Sequence, residues 1–142
     1  TGGRIAEALI AVPGASAYFK GGIVSYTNEV KEHLLGVSHE LLEEKTAVCE
    51  EVAVAMVKGA IASLNVDYAI SSTGVAGPGG ATPGNPVGTI WLACGNADNV
   101  VTMKLEEDYD RDINLAIATS KALQMFLKYL AENCPKKTES EE

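Results

Sequence analysis

The sequence feature that most constrains the fold is a segment rich in glycine and proline at residues 74–88. It contains six glycines and three prolines, which is too many for the interior of a helix or a strand. Apolar runs at residues 66–70 and 87–94 flank it, so the pattern predicts a long loop between two buried strands. Loops of this length are often functional. A ligand-contacting loop and an ordinary surface loop are therefore the two interpretations.

Composition narrows the class of protein. A chain of 142 residues is long enough for one domain with a proper core. The net charge of −8 argues against a nucleic-acid partner, because phosphate binding requires a basic surface. The chain shows no apolar run that could span a bilayer and no secretory leader, so we expect no membrane association and a cytoplasmic location.

The cysteines and histidines give no metal-ligand pattern. Three widely separated cysteines and two histidines form no C-x-x-C unit and no His/Cys cluster, so neither a metal site nor a disulfide framework is predicted.

Helical and strand patterns alternate along the chain. Apolar spacing and end signals predict helices at residues 5–12, 28–35, 38–44, 50–64 and 111–131, and strands at 18–26, 68–72, 87–94 and 101–105. This alternation predicts a single three-layer α/β/α domain over residues 1–134. We expect a mixed, mainly parallel sheet with one hairpin over residues 87–105. Residues 135–142 are predicted to be a disordered acidic tail.

Lys31 is the first candidate for chemistry. It follows a predicted helix start at Thr27 or Asn28, where the positive end of the helix dipole, together with burial, would disfavour a protonated amine. A lysine in such a place is suited to act as a general base. The alternative is a solvent-facing lysine in the first turn of an ordinary helix.

Three further residues could contact a ligand. Arg111 opens the last predicted helix, where a guanidinium can hold a phosphate or carboxylate, although pairing with Asp108 or Asp112 is the alternative. Thr73 ends a strand before the glycine-rich segment. Thr1 could be an N-terminal nucleophile. The glycine-rich segment lacks both the P-loop and the G-x-G-x-x-G fingerprints, which argues against ATP or dinucleotide binding.

Several unusual motifs occur together and in order along the chain. They are Thr1-Gly2-Gly3, Val12-Pro13-Gly14-Ala15-Ser16-Ala17-Tyr18-Phe19, Gly21-Gly22-Ile23-Val24-Ser25-Tyr26-Thr27-Asn28-Glu29-Val30-Lys31, Leu35-Gly36-Val37, Ala47-Val48-Cys49-Glu50-Glu51, Thr73-Gly74-Val75-Ala76-Gly77-Pro78-Gly79-Gly80 and Pro86-Val87-Gly88-Thr89-Ile90-Trp91. In these motifs the chain resembles the CinA C-terminal domain family, the nicotinamide-nucleotide amidohydrolases, from residue 1 to about residue 130.

The resemblance implies a reaction and a set of site residues. It implies hydrolysis of the carboxamide of nicotinamide mononucleotide to the acid and ammonia by a serine–lysine mechanism, with no metal and no cofactor. Lys31 would be the base that activates the serine, and Tyr26 and Thr73 would lie beside the reacting groups. The positions expected to contact substrate are Thr1, Gly2, Gly74, Gly77, Gly79 and Arg111.

The chain departs from the family pattern in two places. The nucleophilic serine of the family stands two positions before the threonine that is Thr1 here, so that serine and the strand and helix leading to it are expected upstream of this chain. Cys49 replaces a helix-capping serine, which should weaken that cap modestly.

Three functional hypotheses follow. The first is the amidohydrolase, the second is a catalytically silent nucleotide-binding or regulatory domain, and the third is an N-terminal nucleophile hydrolase that uses Thr1. The small size and the apolar central strand favour a homodimer.

Overall fold

The computed structural model describes residues 1–134, and the acidic tail predicted at residues 135–142 lies outside them. The chain forms five α-helices and three strands over the described residues, joined in part by a short 3₁₀ turn at Ala15–Ala17. In chain order they are α1 (Arg4–Ile10), α2 (Asn28–Leu35), α3 (His39–Lys45), α4 (Glu50–Leu64), β1 (Ala69–Gly74), β2 (Ile90–Gly95), β3 (Val100–Leu105) and α5 (Arg111–Asn133).

Local capping chemistry sets both ends of α2, which contains Lys31, and the start of α3. The Thr27 hydroxyl accepts a hydrogen bond from the Val30 amide at 3.3 Å and so begins α2. Gly36, with a φ of 66°, ends α2 in the left-handed conformation. The Ser38 hydroxyl caps α3 by accepting from the Leu41 amide at 3.2 Å. These helix boundaries confirm the predicted ones.

The sheet is antiparallel throughout the described residues. Its strand order is β1-β2-β3, and both neighbouring pairs run antiparallel. The predicted hairpin is therefore confirmed, whereas the prediction of a mainly parallel sheet is wrong. A parallel pair needs a long crossover connection between its two strands. Here it would have required that residues 18–26 form a strand, which α2, α3 and α4 would then connect to β1. The glycine-rich loop instead returns the chain from β1 directly into β2.

The strand predicted at residues 18–26 is also wrong. Residues 19–25 do alternate between half-buried and exposed, as a strand does, but they pair with no strand among residues 1–134. When every second residue of an extended segment is buried, the pattern shows which side chains face the protein interior. It does not supply the hydrogen-bonded partner that defines a strand, and the sequence pattern could not reveal whether one was present.

Helices cover both faces of the sheet. On one face, Leu92 and Cys94 of β2 pack against Ala118, Ala122 and Tyr129 of α5. On the other face, Ala93 packs against Ala53 and Val57 of α4. The predicted three-layer α/β/α architecture is confirmed. Because Gly74 lies opposite Ile90 in the ladder, both ends of the glycine-rich loop lie at one end of the sheet.

Within residues 1–134, none of the helices combines the length and the apolar character needed to cross a bilayer.

The weak cap at Cys49 can be tested. Cys49 occupies the N-cap position of α4, and its side chain makes no capping hydrogen bond there. We expect Cys49→Ser to raise the free energy of unfolding by about 0.5–1 kcal/mol, because a serine oxygen can accept from a free amide of the first turn. Urea unfolding measures the change, with Cys49→Ala as the matched variant that lacks a capping group. Equal stability of the serine and alanine variants would contradict the expectation.

Candidate active site

Lys31 is a buried lysine at the start of α2. The residue is only 7% exposed, and Nζ donates a hydrogen bond to the Ser25 carbonyl oxygen at 2.8 Å. Burial lowers the pKa of Lys31 below its ordinary value. This direction agrees with the expectation from sequence, and its cause is burial. A lysine that loses its proton more readily can accept one from a neighbouring hydroxyl.

The lowered pKa of Lys31 predicts how the stability of the protein changes with pH. Because the folded pKa lies below the unfolded one, the unfolded chain binds more protons between the two values, and stability rises with pH through that window. We expect the wild type to gain stability relative to Lys31→Met as the pH rises towards the ordinary lysine pKa of 10.5. Urea unfolding at several pH values measures this. Lys58→Met, at an exposed position of α4, is the control, and equal pH slopes in the two variants would refute the prediction.

Basic side chains lie near the first residue. Arg4, Arg111 and Lys31 are all close enough to the backbone nitrogen of Thr1 to act on it electrostatically. The fold therefore brings together Thr1, Lys31 and Arg111, which are far apart in sequence. A negatively charged group would be stabilised in this environment.

Thr1, Gly2 and Tyr26 border one cavity. Its volume is about 840 Å³, and Tyr26 is 79% exposed. Tyr26 is therefore accessible to a bound molecule.

Thr73 is placed differently from the expectation. It is buried in β1, and its hydroxyl donates to the Ala47 carbonyl oxygen at 2.8 Å. Ala47 lies between α3 and α4, so the hydroxyl ties the sheet to that connection. In this structure the Thr73 side chain is not part of the cavity that Thr1 and Tyr26 border.

Different structural constraints account for the glycines of the loop. A Cβ on Gly74 would lie 2.6 Å from Cγ1 of Ile90 and 2.7 Å from the Thr89 carbonyl oxygen. Gly77 has a φ of 88°, and a Cβ there would collide with Val87. Close packing therefore accounts for Gly74 and Gly77. Gly79 has open space around it, with no atom within 4 Å of its hypothetical Cβ, and the same is true of Gly84 in the loop and of Gly2. Packing therefore does not account for glycine at these positions.

Arg111 contacts the glycine-rich loop. Its Nη1 donates to the Gly77 carbonyl oxygen at 2.8 Å. The alternative considered from sequence was pairing with the carboxylate of Asp108 or Asp112, and this contact is neither of them. One hydrogen bond of this kind still leaves other N–H donors of the guanidinium for an anion.

Asn114 was missed by the sequence reasoning. It is buried, and its amide Nδ2 donates to the Ala76 carbonyl oxygen at 3.0 Å and to Asp108 Oδ1 at 2.8 Å. Its Oδ1 accepts from the Tyr109 amide at 2.8 Å. The signal was available: Asn114 is a polar residue in line with the buried positions Ala118 and Ala122 of α5. A buried polar side chain on an apolar stripe must find hydrogen-bond partners.

Arg4 was also missed. Its guanidinium pairs with the Asp112 carboxylate at 2.7 Å, which joins the start of α1 to the start of α5. Nothing in the local sequence links two residues 108 positions apart.

Among residues 1–134, no three histidine, cysteine, aspartate or glutamate side chains come together as metal ligands could.

Comparisons with known proteins agree on one family. The CinA C-terminal domain profile matches residues 1–130. The chain is 46% identical over 112 residues to the nicotinamide-nucleotide amidohydrolase PncC of Pseudomonas putida, covering 79% of this chain and 70% of that protein. It is 53% identical over 95 residues to a CinA-like protein of Leptospira borgpetersenii, covering 67% of this chain but only 23% of that protein. The chain thus spans about a quarter of the longer curated relatives.

Solved structures share the fold. The CinA superfamily protein of Escherichia coli superimposes with a TM-score of 0.87 at 36% identity, over 91% of this chain and 75% of that one. The competence/damage-inducible protein CihA of Agrobacterium tumefaciens does so with a TM-score of 0.83 at 38% identity, over 89% of this chain and 78% of that one.

Proposed function

The chain belongs to the CinA C-terminal domain family, and from that premise we propose that it is the amide-hydrolysing domain of a nicotinamide-nucleotide amidohydrolase. The observation that carries the proposal is the buried Lys31, whose Nζ is held by the Ser25 carbonyl and whose pKa is lowered by burial. The relative in Pseudomonas putida bears the name of this activity. The proposed substrate is nicotinamide mononucleotide.

The proposed reaction proceeds through an acyl-enzyme. A serine two residues before Thr1 attacks the carboxamide carbon, and Lys31 accepts the serine proton as the new C–O bond forms. Lys31 then passes that proton to the amide nitrogen, so that the C–N bond breaks and ammonia leaves. Water hydrolyses the ester, which releases nicotinate mononucleotide and restores the serine. Lys31 again serves as the base in this second half.

The remaining site residues receive proposed roles from their positions. The positive charge of Arg111 near Thr1 favours binding of the anionic nucleotide there. Backbone amides of Thr1, Gly2 and the open part of the loop at Gly79 are candidates for stabilising the oxyanion. Tyr26 is proposed to contact the substrate through its exposed ring. Thr73 is proposed to act by positioning, since its hydroxyl is engaged by Ala47.

Ammonia release from nicotinamide mononucleotide by the full-length gene product tests the proposal. The competing hypothesis of a silent nucleotide-binding domain predicts binding without ammonia release. The Thr1 nucleophile hypothesis predicts a mature chain that begins at Thr1 in intact-mass spectra and loses activity in Thr1→Ala. A retained Glu-Ser-Cys segment before Thr1 would count against it.

Compartment and assembly are part of the same proposal. A cytoplasmic location is proposed because the substrate is a nucleotide, and the three free thiols of Cys49, Cys94 and Cys134 are compatible with a reducing compartment. A homodimer is proposed as well. Exposed apolar side chains such as Ile10, Val12 and Tyr18 are available for one, and light scattering coupled to size exclusion would measure it.

A further inference from the structure

The turn that leads into α1 contains two consecutive glycines, and we call it the diglycine turn. Gly2 and Gly3 have φ values of 62° and 95°, which lie in the left-handed region. The Arg4 amide closes the turn by donating to the Thr1 carbonyl oxygen at 3.2 Å. Glycine adopts these angles readily, but it has no side chain that could hold the turn in place. The position of the turn therefore depends on the side chains next to it.

Arg4 is the neighbour of the diglycine turn that makes a long-range contact. Its Nη2 donates to Asp112 Oδ1 at 2.7 Å, and its Nη1 donates to the Asp112 carbonyl oxygen at 3.4 Å. Two contacts from one planar guanidinium to one residue define its orientation as well as its distance. The Arg4 side chain is 35% exposed and that of Asp112 is 86% exposed. Water weakens the attraction in such a pair, so the contact matters more for geometry than for stability.

Asp112 connects this contact to the rest of the candidate site. It lies in the first turn of α5, directly after Arg111, whose Nη1 donates to the Gly77 carbonyl oxygen at 2.8 Å. The first turn of α5 thus contacts the glycine-rich loop through one residue and Arg4 through the next. The diglycine turn is therefore fastened to the same turn of α5 as the loop.

We propose that Arg4 is a positioning residue for amide hydrolysis, because its contact with Asp112 holds the diglycine turn where the backbone amides of Thr1 and Gly2 face the reacting carbonyl group. The inference rests on the proposed function, in which these amides stabilise the oxyanion. Arg4 does not touch the substrate in this role. Oxyanion donors act only within hydrogen-bond distance of the developing charge, so a small displacement of the turn costs much of the rate.

Ammonia release from nicotinamide mononucleotide by the full-length gene product tests the inference. Arg4→Met removes the guanidinium and keeps an unbranched side chain, whereas Asp112→Ala removes the carboxylate and leaves the charge of Arg4 in place. We expect each variant to lower kcat at least about tenfold and to change KM less than about threefold, because the oxyanion donors act in the transition state. The double variant should be no slower than the slower single variant, since both substitutions break the same contact.

Further variants separate positioning from a general loss of structure. Arg4→Lys keeps a cation that can donate to Asp112, so its kcat should lie within about threefold of the wild-type value. Lys128→Ala removes the exposed pair that Lys128 forms with Glu132 in α5, and it should leave kcat unchanged. Amide hydrogen exchange at residues 1–7 should be faster in Arg4→Met and in Asp112→Ala, while urea unfolding shows that both variants are fully folded under the assay conditions.

Several outcomes would overturn the inference. A wild-type kcat in Asp112→Ala would show that the charge of Arg4 acts without the contact. Losses that multiply in the double variant would show that the two residues act separately. An active wild type together with an equally active Arg4→Met would overturn this inference alone, whereas a wild type that releases no ammonia would overturn the proposed function and the inference with it.

Discussion

Replacing Lys31 with alanine in the full-length gene product is expected to lower kcat for ammonia release from nicotinamide mononucleotide by about 10²–10⁴-fold, the usual contribution of a general base. The reason for this expectation lies in the surroundings of Lys31. The buried Nζ has one hydrogen-bond acceptor, the Ser25 carbonyl oxygen, and burial lowers its pKa, so it can take a proton from a hydroxyl in the site. KM should change much less than kcat, because the lost interaction belongs to the transition state.

Two further variants keep this result interpretable. Lys31→Arg retains the positive charge but never becomes neutral, so it should be as inactive as Lys31→Ala if proton transfer is the role. Lys58→Ala should be fully active, since Lys58 is exposed on α4. Activity of Lys31→Arg close to that of the wild type would show that the charge alone matters, and it would remove Lys31 as the base.

Asn114→Ala is expected to lower the free energy of unfolding by about 3 kcal/mol. The substitution removes the partner of the half-buried Ala76 carbonyl, of the Tyr109 amide and of the exposed Asp108 carboxylate. A buried group that loses its partner costs about 1–3 kcal/mol, whereas water and the Asp110 amide can still serve Asp108. The partners are Ala76, Asp108 and Tyr109. Because Ala76 belongs to the glycine-rich loop, KM for the nucleotide should rise as well.

The same helix offers a matched control. Asn133 is exposed near the end of α5 and bonds to the Tyr129 carbonyl oxygen at 2.9 Å, so Asn133→Ala should cost no more than about 1 kcal/mol. Urea unfolding of both variants measures the difference. If Asn133→Ala proves as costly as Asn114→Ala, the loop contacts of Asn114 do not carry the effect.

Most local structure could be predicted from sequence because its signals are local. Thr27, Gly36 and Ser38 set helix ends through bonds and conformations within three or four residues, and the apolar spacing of residues 50–64 matched α4. The direction of strand pairing could not be predicted in this way. It depends on which extended segments meet across the fold. Residues 19–25 have the burial pattern of a strand but pair with no other strand in the part of the chain that the structure describes.

In the candidate site, too, local features could be predicted from sequence and long-range contacts could not. Lys31 could be chosen because a cap, a helix start and a lysine are neighbours in sequence. The roles of Thr73 and Arg111 could not be refined, since their partners are backbone carbonyls of Ala47 and Gly77, 26 and 34 residues away. Every residue has a backbone carbonyl, so the amino-acid type at a position does not show whether its carbonyl accepts a hydrogen bond. The sequence spacing alone could not reveal these partners.

The contacts of Asn114 and Arg111 also determine how the site can move. They fasten the carbonyl oxygens of Ala76 and Gly77 to the first turn of α5, and Arg4 fastens that turn to α1 through Asp112. Local opening of the loop must break bonds that also hold the start of α5. The glycine-rich segment therefore does not behave as an independent flap: it opens as one cooperative unit with the amino-terminal turn of the last helix.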